Sequence, residues 1–599
     1  MDKIKQLLKS NFGSFTYFYS YLGNRIFVSV GLSLLVGVLD GFGLAMFLPL
    51  LQMISGSPDE VQSEQMGNLS FLVDGLQYFG FSLTLPTILI VIFIFFTLKG
   101  GFKFIEGFYK VILQQKFIRQ IRFSNIDLLS GYQYNSFVRS DSGRIQNTIT
   151  GEVDRLLLAY RSYFTAFQYG ILVLVYTSLA FLANPQFAVL VAIGGGLTNV
   201  MFKKVYYTTK KLSRNLTNEN HAFQGLLIQE VHNFKYLKAS GLIGKFGQKL
   251  KSSIKSIEEL QRRIGVLAAL LSSMREPLVM LVVVIVILVQ VNIFSHNLGV
   301  LILSLLFFYR SLTFLMGLQN FWNTFLSVSG SLENMDEFNK ELFQDQEQNG
   351  RTKIESFREV INLRNLSFSY GRNLILKNVS LSIYKNEAIA LVGESGSGKT
   401  TLMNLLCGLL KAEKGDLLVD GIEMHEIDMK SFQNRVGYIT QEPVIFSDTV
   451  FNNVTFWASP TEENLKRFNE ALEMASIADF VKGLPEKENS LLGNNGVLIS
   501  GGQKQRISIA RELYKEIDIL FMDEATSALD SETEKSIQQN IEKLKGKYTI
   551  VIIAHRLSTI KNVDRIIYLN RGEIEDEGDF ESLKFSSTSF NKMVNLQEF

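Results

Sequence analysis

The densest chemistry in the chain is one run: Gly393, Glu394, Ser395, Gly396, Ser397, Gly398, Lys399 and Thr400, with Thr401 next. An apolar run at 388–392 precedes it and a helix-forming stretch at 401–410 follows. Strand, glycine loop and helix in that order make a phosphate cradle. The glycines let backbone N–H groups turn inward around a polyphosphate, and the new helix presents its positive end to the same anion. In that frame Lys399 reaches the β- and γ-phosphates of ATP and the Thr400 hydroxyl fits a Mg²⁺ shell. A flexible glycine turn is the bland alternative, and the flanking strand and helix weigh against it.

A second constellation lies downstream. The apolar run 519–522 ends in Asp523-Glu524. An aspartate at the edge of a buried strand can help hold Mg²⁺ through water, and the glutamate beside it can polarise an attacking water as general base. Upstream of the glycine run, Tyr370 is placed to stack on an adenine ring, although ordinary packing explains a lone tyrosine equally well.

These residues need a scaffold, and the composition implies two of them. Of 599 residues, 47% are hydrophobic and 47 are Phe, which fits a chain partly in lipid. The net charge of +2 gives no reason to expect nucleic acid as a partner. The single cysteine, Cys407, excludes an intrachain disulfide and a cysteine zinc site. No short apolar core with a small-residue cleavage site opens the sequence, so no removable signal peptide is expected.

Residues 1–21 are basic and then aromatic, which predicts an elbow helix lying on a membrane surface with rings at headgroup level. Six apolar stretches follow, at 26–54, 85–104, 156–182, 187–205, 264–291 and 298–321, each near the ~20 residues that cross a bilayer. The loop 55–84 holds acidic residues and no Lys or Arg, whereas 108–155 and 206–263 are rich in both. The positive-inside rule therefore puts the two basic segments and both termini in the cytoplasm. These segments are too long for loops: a continuous helix over 85–129 would measure ~65 Å, about twice the hydrocarbon thickness. The spans are thus expected to continue as rods, with tips near 136–143 and 219–226. The polar stretch 330–353 marks a linker, so the expected domains are 1–21, 22–329, 330–353 and 354–599.

Charges inside the apolar runs are the next signal. Asp40, Lys99, Lys103, Arg275, Glu276 and Arg310 all lie in or at the edge of spans. A charge near the bilayer centre costs ~2.5–3.5 kcal/mol on insertion scales, so such groups face a cavity or each other. Mutual pairing, with Lys103 snorkelling to the interface, is one reading. A pathway that accepts an anionic headgroup is the other, because cations outnumber carboxylates.

The segment Ile499-Ser500-Gly501-Gly502-Gln503, ahead of a helical stretch and Asp523-Glu524, resembles the signature of ATP-binding cassette (ABC) transporters. Gln441 matches that family's Q-loop, Ser527-Ala528-Leu529-Asp530 its D-loop and His555 its switch histidine. Ile499 stands where leucine is usual, and Asn494 and Asn495 where an exporter loop more often has an acid. The first half resembles the same family's exporters, loosely the bacterial flippases of lipid-linked oligosaccharides or lipopolysaccharide precursors. The resemblance implies a membrane all-α six-helix domain of the exporter type fused to a soluble α/β P-loop nucleotide-binding domain. It implies ATP and Mg²⁺ as cofactors, with Thr400, Gln441 and Asp523 on the metal. Glu524, His555 and Gln441 take the catalytic positions, and Ser500, Gly501, Gly502, Gln503 and Asp530 contact nucleotide held by a second half-transporter. The implied assembly is a homodimer, or a heterodimer, in a bacterial inner membrane. The implied activity is ATP-driven export of an amphipathic, anionic lipid or glycolipid. A multidrug or peptide exporter stays open, as does a nucleotide-gated channel or regulatory ATPase.

Overall fold

The computed structural model describes residues 13–47, 49–50, 71–78, 80–82, 84–183, 185–293, 298–523, 539, 542–554, 556 and 560–597; within the helices some side chains, Arg275 and Glu276 among them, fall outside the description. The chain divides into two compact units, one of residues 1–132 and 139–346, the other of 133–138 and 347–599.

The first unit is built from long helices: α1 (Arg25–Ala45), α2 (Leu85–Ser130), α3 (Gly151–Ala183), α4 (Pro185–His232), α5 (Ile243–Ile293) and α6 (Leu298–Gln344). Pro86 falls in the first turn of α2, where a missing N–H costs nothing. Each expected span lies largely within one of these helices, and each helix except α1 runs on well past lipid length. Among the described residues, α1, α2 and 151–182 are long and apolar enough to cross a membrane. The apolar window of α2 is only 11% buried, and Phe93 and Phe104 face outward, as suits lipid rather than water as solvent. Packing joins α3 to α6, α4 to α5 and α6, and α1 to α2 and α3. The approach of α1 to α3 depends on two glycines. A Cβ on Gly41 would lie 2.2 Å from Leu179 Cδ1, and one on Gly37 2.8 Å from Leu172 Cδ2. Small residues are what let helices close up where no water is expelled.

Residues 13–22 are helical, but not all their rings sit at headgroup level. Phe18 is fully buried against Phe117, Tyr160, Tyr163 and Phe164. Burying an aromatic ring among others is favourable by more than its area alone, so this part of the elbow is anchored in protein.

At the tip of the helical unit, Asp141 caps the short helix Ser142–Ile149 through Gly143 and Arg144 N–H. Glu152 is buried there 4.0 Å from His221 Nε2. Burial, then Arg144, hold the His221 pKa below its usual value; burial raises that of Glu152. A histidine with a depressed folded pKa adds stability above its unfolded value of about 6.5, lost as pH falls through the folded value. From pH 7.5 to 5.5 the wild type should therefore lose more melting temperature than His221→Asn, which keeps Glu152 but has no proton to gain there. Equal losses would remove His221 as the titrating group.

The second unit is a two-sheet α/β fold. Strands β1 (Val360–Tyr370), β2 (Asn373–Tyr384), β3 (Ala388–Val392), β4 (Lys414–Val419), β5 (Ile422–Glu423), β6 (Val436–Ile439), β7 (Ile519–Asp523), β8 (Thr549–Ile553), β9 (Arg565–Asn570) and β10 (Glu573–Gly578) form two sheets. The order β2-β1-β4-β5 is antiparallel; β10-β9-β3-β8-β7-β6 is parallel except for β10 at its edge. Strands β3 and β8 are buried at every position, as expected of parallel strands covered on both faces. Two further helices matter for the site: α7 (Lys399–Leu406) and α8 (Gly501–Tyr514).

Candidate active site and membrane charges

In an open parallel sheet, ligands bind beyond the carboxyl ends of the strands. The described candidates gather there. The glycine run leaves β3, Asp523 ends β7 and Gln441 follows β6, all strands of one sheet. Gly393 has φ +150° and Gly398 φ +104°; a Cβ on the first would sit 2.1 Å from Leu569 O, on the second 2.7 Å from Leu376 Cδ2. Only glycine fits either place. Lys399 is buried and donates to Gly393 O at 2.9 Å and Glu394 O at 3.0 Å. Its ammonium thus spans the loop whose amides would hold phosphate. Ser397 Oγ is buried with no hydrogen-bond partner among the described residues, a donor that a polyphosphate oxygen would satisfy. The cradle fits a nucleotide. Thr400 is exposed at the helix start, Thr401 is buried beneath it, and Glu394, Ser395 and Gly396 are exposed. Tyr370 packs edge-on against Phe368 at 4.9 Å.

The turn before α8 is a second helix N-terminus. Ser500 Oγ accepts from Gln503 N–H at 3.3 Å, and Gln503 Oε1 accepts from Ser500 N–H at 2.8 Å. This capping box fixes the turn, while Gly501 is exposed with open space around it. Glu524, Asp530 and His555 lie outside the described residues; Glu524 follows directly on Asp523 at the end of β7.

In the helical unit, Lys99 Nζ meets Asp40 Oδ1 at 2.5 Å, and Tyr176 donates to Asp40 Oδ2 at 2.6 Å. Lys99 also stands over the Phe96 ring. Thr177 and Ser311 share a hydrogen bond of 3.0 Å, which brings the half-buried Arg310 to the same level. Of the expected charges, Asp40 and Lys99 are therefore paired, with Arg310 nearby. Lys103 lies one turn along α2, exposed. Arg275 and Glu276 fall in α5 beside Pro277, their side chains outside the description.

The ABC transporter profile matches residues 376–527. The ATP-dependent lipid A-core flippase of Syntrophus aciditrophicus (strain SB) is 42% identical over 239 residues, which is 40% of this chain and 39% of that protein. The chain thus matches about two fifths of that relative's length. The flippase of the same name from Cupriavidus pinatubonensis (strain JMP 134 / LMG 1197) is 26% identical over 522 residues, 84% of this chain and 86% of that one. A solved bacterial Atm1-family ABC exporter with ATP bound superposes with a TM-score of 0.79 at 19% identity, covering 96% of this chain and all of its own.

Residues 376–527 belong to the ABC transporter nucleotide-binding family, and the chain as a whole has the fold of an ABC exporter. It is a membrane protein with a nucleotide-binding domain. Two parts of this chain escape a reading of motifs alone. One is Arg511 of α8, buried, donating to Asn453 O, Asn453 Oδ1 and Val444 O; it ties the signature helix to the segment after Gln441. The other is Glu106 of α2, buried and paired with Lys110 at 2.8 Å. Glu106 sits just beyond the apolar run, and its one signal was falling two turns from Lys99 on the same helix face.

Proposed function

We propose that two copies of this chain form an ATP-driven flippase for an amphipathic, anionic lipid or glycolipid in a bacterial inner membrane, with both termini cytoplasmic. The observation that carries the cargo class is the level of Asp40, Lys99, Tyr176 and Arg310. It holds two cations against one carboxylate among the described residues, inside apolar helices, and an anionic headgroup would neutralise the surplus. The relatives named lipid A-core flippase support the same class.

The chain carries one phosphate cradle and one signature turn, so ATP is clasped between the cradle of one copy and the Ser500–Gln503 turn of the other. On this reading Asp530 would contact the nucleotide at that seam, and the domains would be 1–21, 22–329, 330–353 and 354–599. Thr400, Gln441 and Asp523 would hold Mg²⁺, which supplies charge neutralisation to the phosphates. Glu524 takes a proton from the attacking water and His555 contacts the γ-phosphate, so ADP and phosphate leave. ATP favours the closed dimer because only that state offers both sets of contacts. Closure moves the long helices and exchanges the side of access.

Reconstituted in nanodiscs, the protein should hydrolyse ATP faster on titration with diphosphorylated lipid A than with a neutral glycolipid. Arg310→Gln should raise the half-stimulating concentration about tenfold, the worth of one charged contact. No stimulation of the wild type by any anionic lipid would refute the cargo class.

A further inference from the structure

We infer that the anionic headgroup moves along a charged stripe on α2, formed by Lys99, Lys103, Glu106 and Lys110, and that Asp40 and Glu106 stand in for it at the lysines when no cargo is bound. This rests on the lipid-carrier reading and says how the carrier is built. Positions 99, 103, 106 and 110 follow the 4-3-4 spacing that puts side chains on one helix face. They extend over ~16 Å, about half the hydrocarbon thickness.

The two ends of the stripe share one design on the same three helices. At one end Asp40 of α1 holds Lys99 and accepts from Tyr176 of α3. At the other, Glu106 accepts from Ser33 of α1 and pairs with Lys110, which donates to Gln168 of α3. Ser33 lies two turns from Asp40 and Gln168 about two turns from Tyr176, so the stations stand ~10–12 Å apart. In both, the carboxylate is buried, with Asp40 and Glu106 5% and 2% exposed. The lysine side chains keep 22% and 28% exposure. An incoming phosphate can reach each ammonium while the internal counter-ion stays behind it.

Between the stations Lys103 is exposed and forms no ion pair among the described residues. Holding helices together does not explain it: buried ion pairs are often no better than apolar contacts for that purpose, and an unpaired lysine contributes nothing to a clamp. A row of partly neutralised cations instead gives sites strong enough to attract a charged headgroup and weak enough to release it to the next.

The test uses the full-length protein in phosphatidylcholine nanodiscs, with diphosphorylated lipid A as probe and ATP turnover as readout. Lys103→Gln should raise the half-stimulating concentration at least threefold, and Lys103→Glu further, whereas Lys255→Gln on exposed α5 should not change it. Asp40→Asn and Glu106→Gln, by releasing their lysines, should lower it. If Lys103→Gln and Lys103→Glu match a responsive wild type, the stripe is not the route. If the two carboxylate variants fold and raise the value instead, they are not stand-ins. A wild type that ignores the lipid would overturn the carrier reading itself, and this inference with it.

Discussion

Glu524→Gln is expected to lower ATP turnover by at least a hundredfold while leaving nucleotide binding intact. A positioned general base contributes roughly 10²–10⁴ in rate, and the amide cannot accept the water's proton. Its shape and hydrogen-bonding reach are nearly those of the acid, so the cradle of Gly393, Ser397 and Lys399 should bind ATP as before. On the proposed mechanism, in which hydrolysis reopens the dimer, the variant should accumulate closed with nucleotide trapped. The measurements are phosphate release and retention of labelled ATP after gel filtration with Mg²⁺ present. Full turnover would remove Glu524 from the role. Lost turnover together with lost binding would point to a damaged fold.

The strand, glycine loop and helix of the candidate nucleotide site were legible from sequence because those parts are local. A glycine loop needs only the strand before it and the helix after it; β3 stands where the apolar run puts it, and α7 starts two residues before the expected stretch and ends at Leu406 rather than at 410. The same holds for Asp523, the last residue of a strand whose buried run announces itself. The membrane charges were legible one at a time and not as a set. Asp40 meets Lys99 and Tyr176 only because Gly37 and Gly41 let α1 close on α3, a consequence of packing between distant segments that no window of sequence displays. Glu106 escaped because the apolar run ends just before it; what keeps it buried is Ser33 and Lys110, not hydropathy. Phe18 departs from its expected interfacial place for a related reason: rings from α2 and α3 offered a drier site than the headgroups. The antiparallel sheet β2-β1-β4-β5 left little trace, since β1 alternates irregularly and shifts register against both neighbours.

Arg511→Met is expected to destabilise the nucleotide-binding domain by about 3 kcal/mol and to lower turnover with it. The guanidinium is buried, bonds three carbonyl-type acceptors at 2.6–2.9 Å, and lies over the rings of Phe446 and Phe456. Methionine matches its bulk but leaves Val444 O and Asn453 O without that donor, at about 1–3 kcal/mol for each group stranded, while Asn453 Oδ1 keeps the Phe446 N–H. Asn453 is itself wholly buried and bonds Phe446, Asp448 and Thr449, so the segment following Gln441 should loosen as a body. At roughly 2–4 °C per kcal/mol for a domain of this size, the melting temperature should fall by about 6–12 °C. Arg511→Lys keeps the charge but offers no planar fork, and one ammonium cannot span both Val444 and Asn453. It should therefore recover little stability. Because the arginine joins the signature helix to the loop carrying Gln441, turnover should fall more than ATP affinity does at temperatures where the variant is folded. If Arg511→Lys melts and turns over like the wild type, the clamp does not couple those two elements.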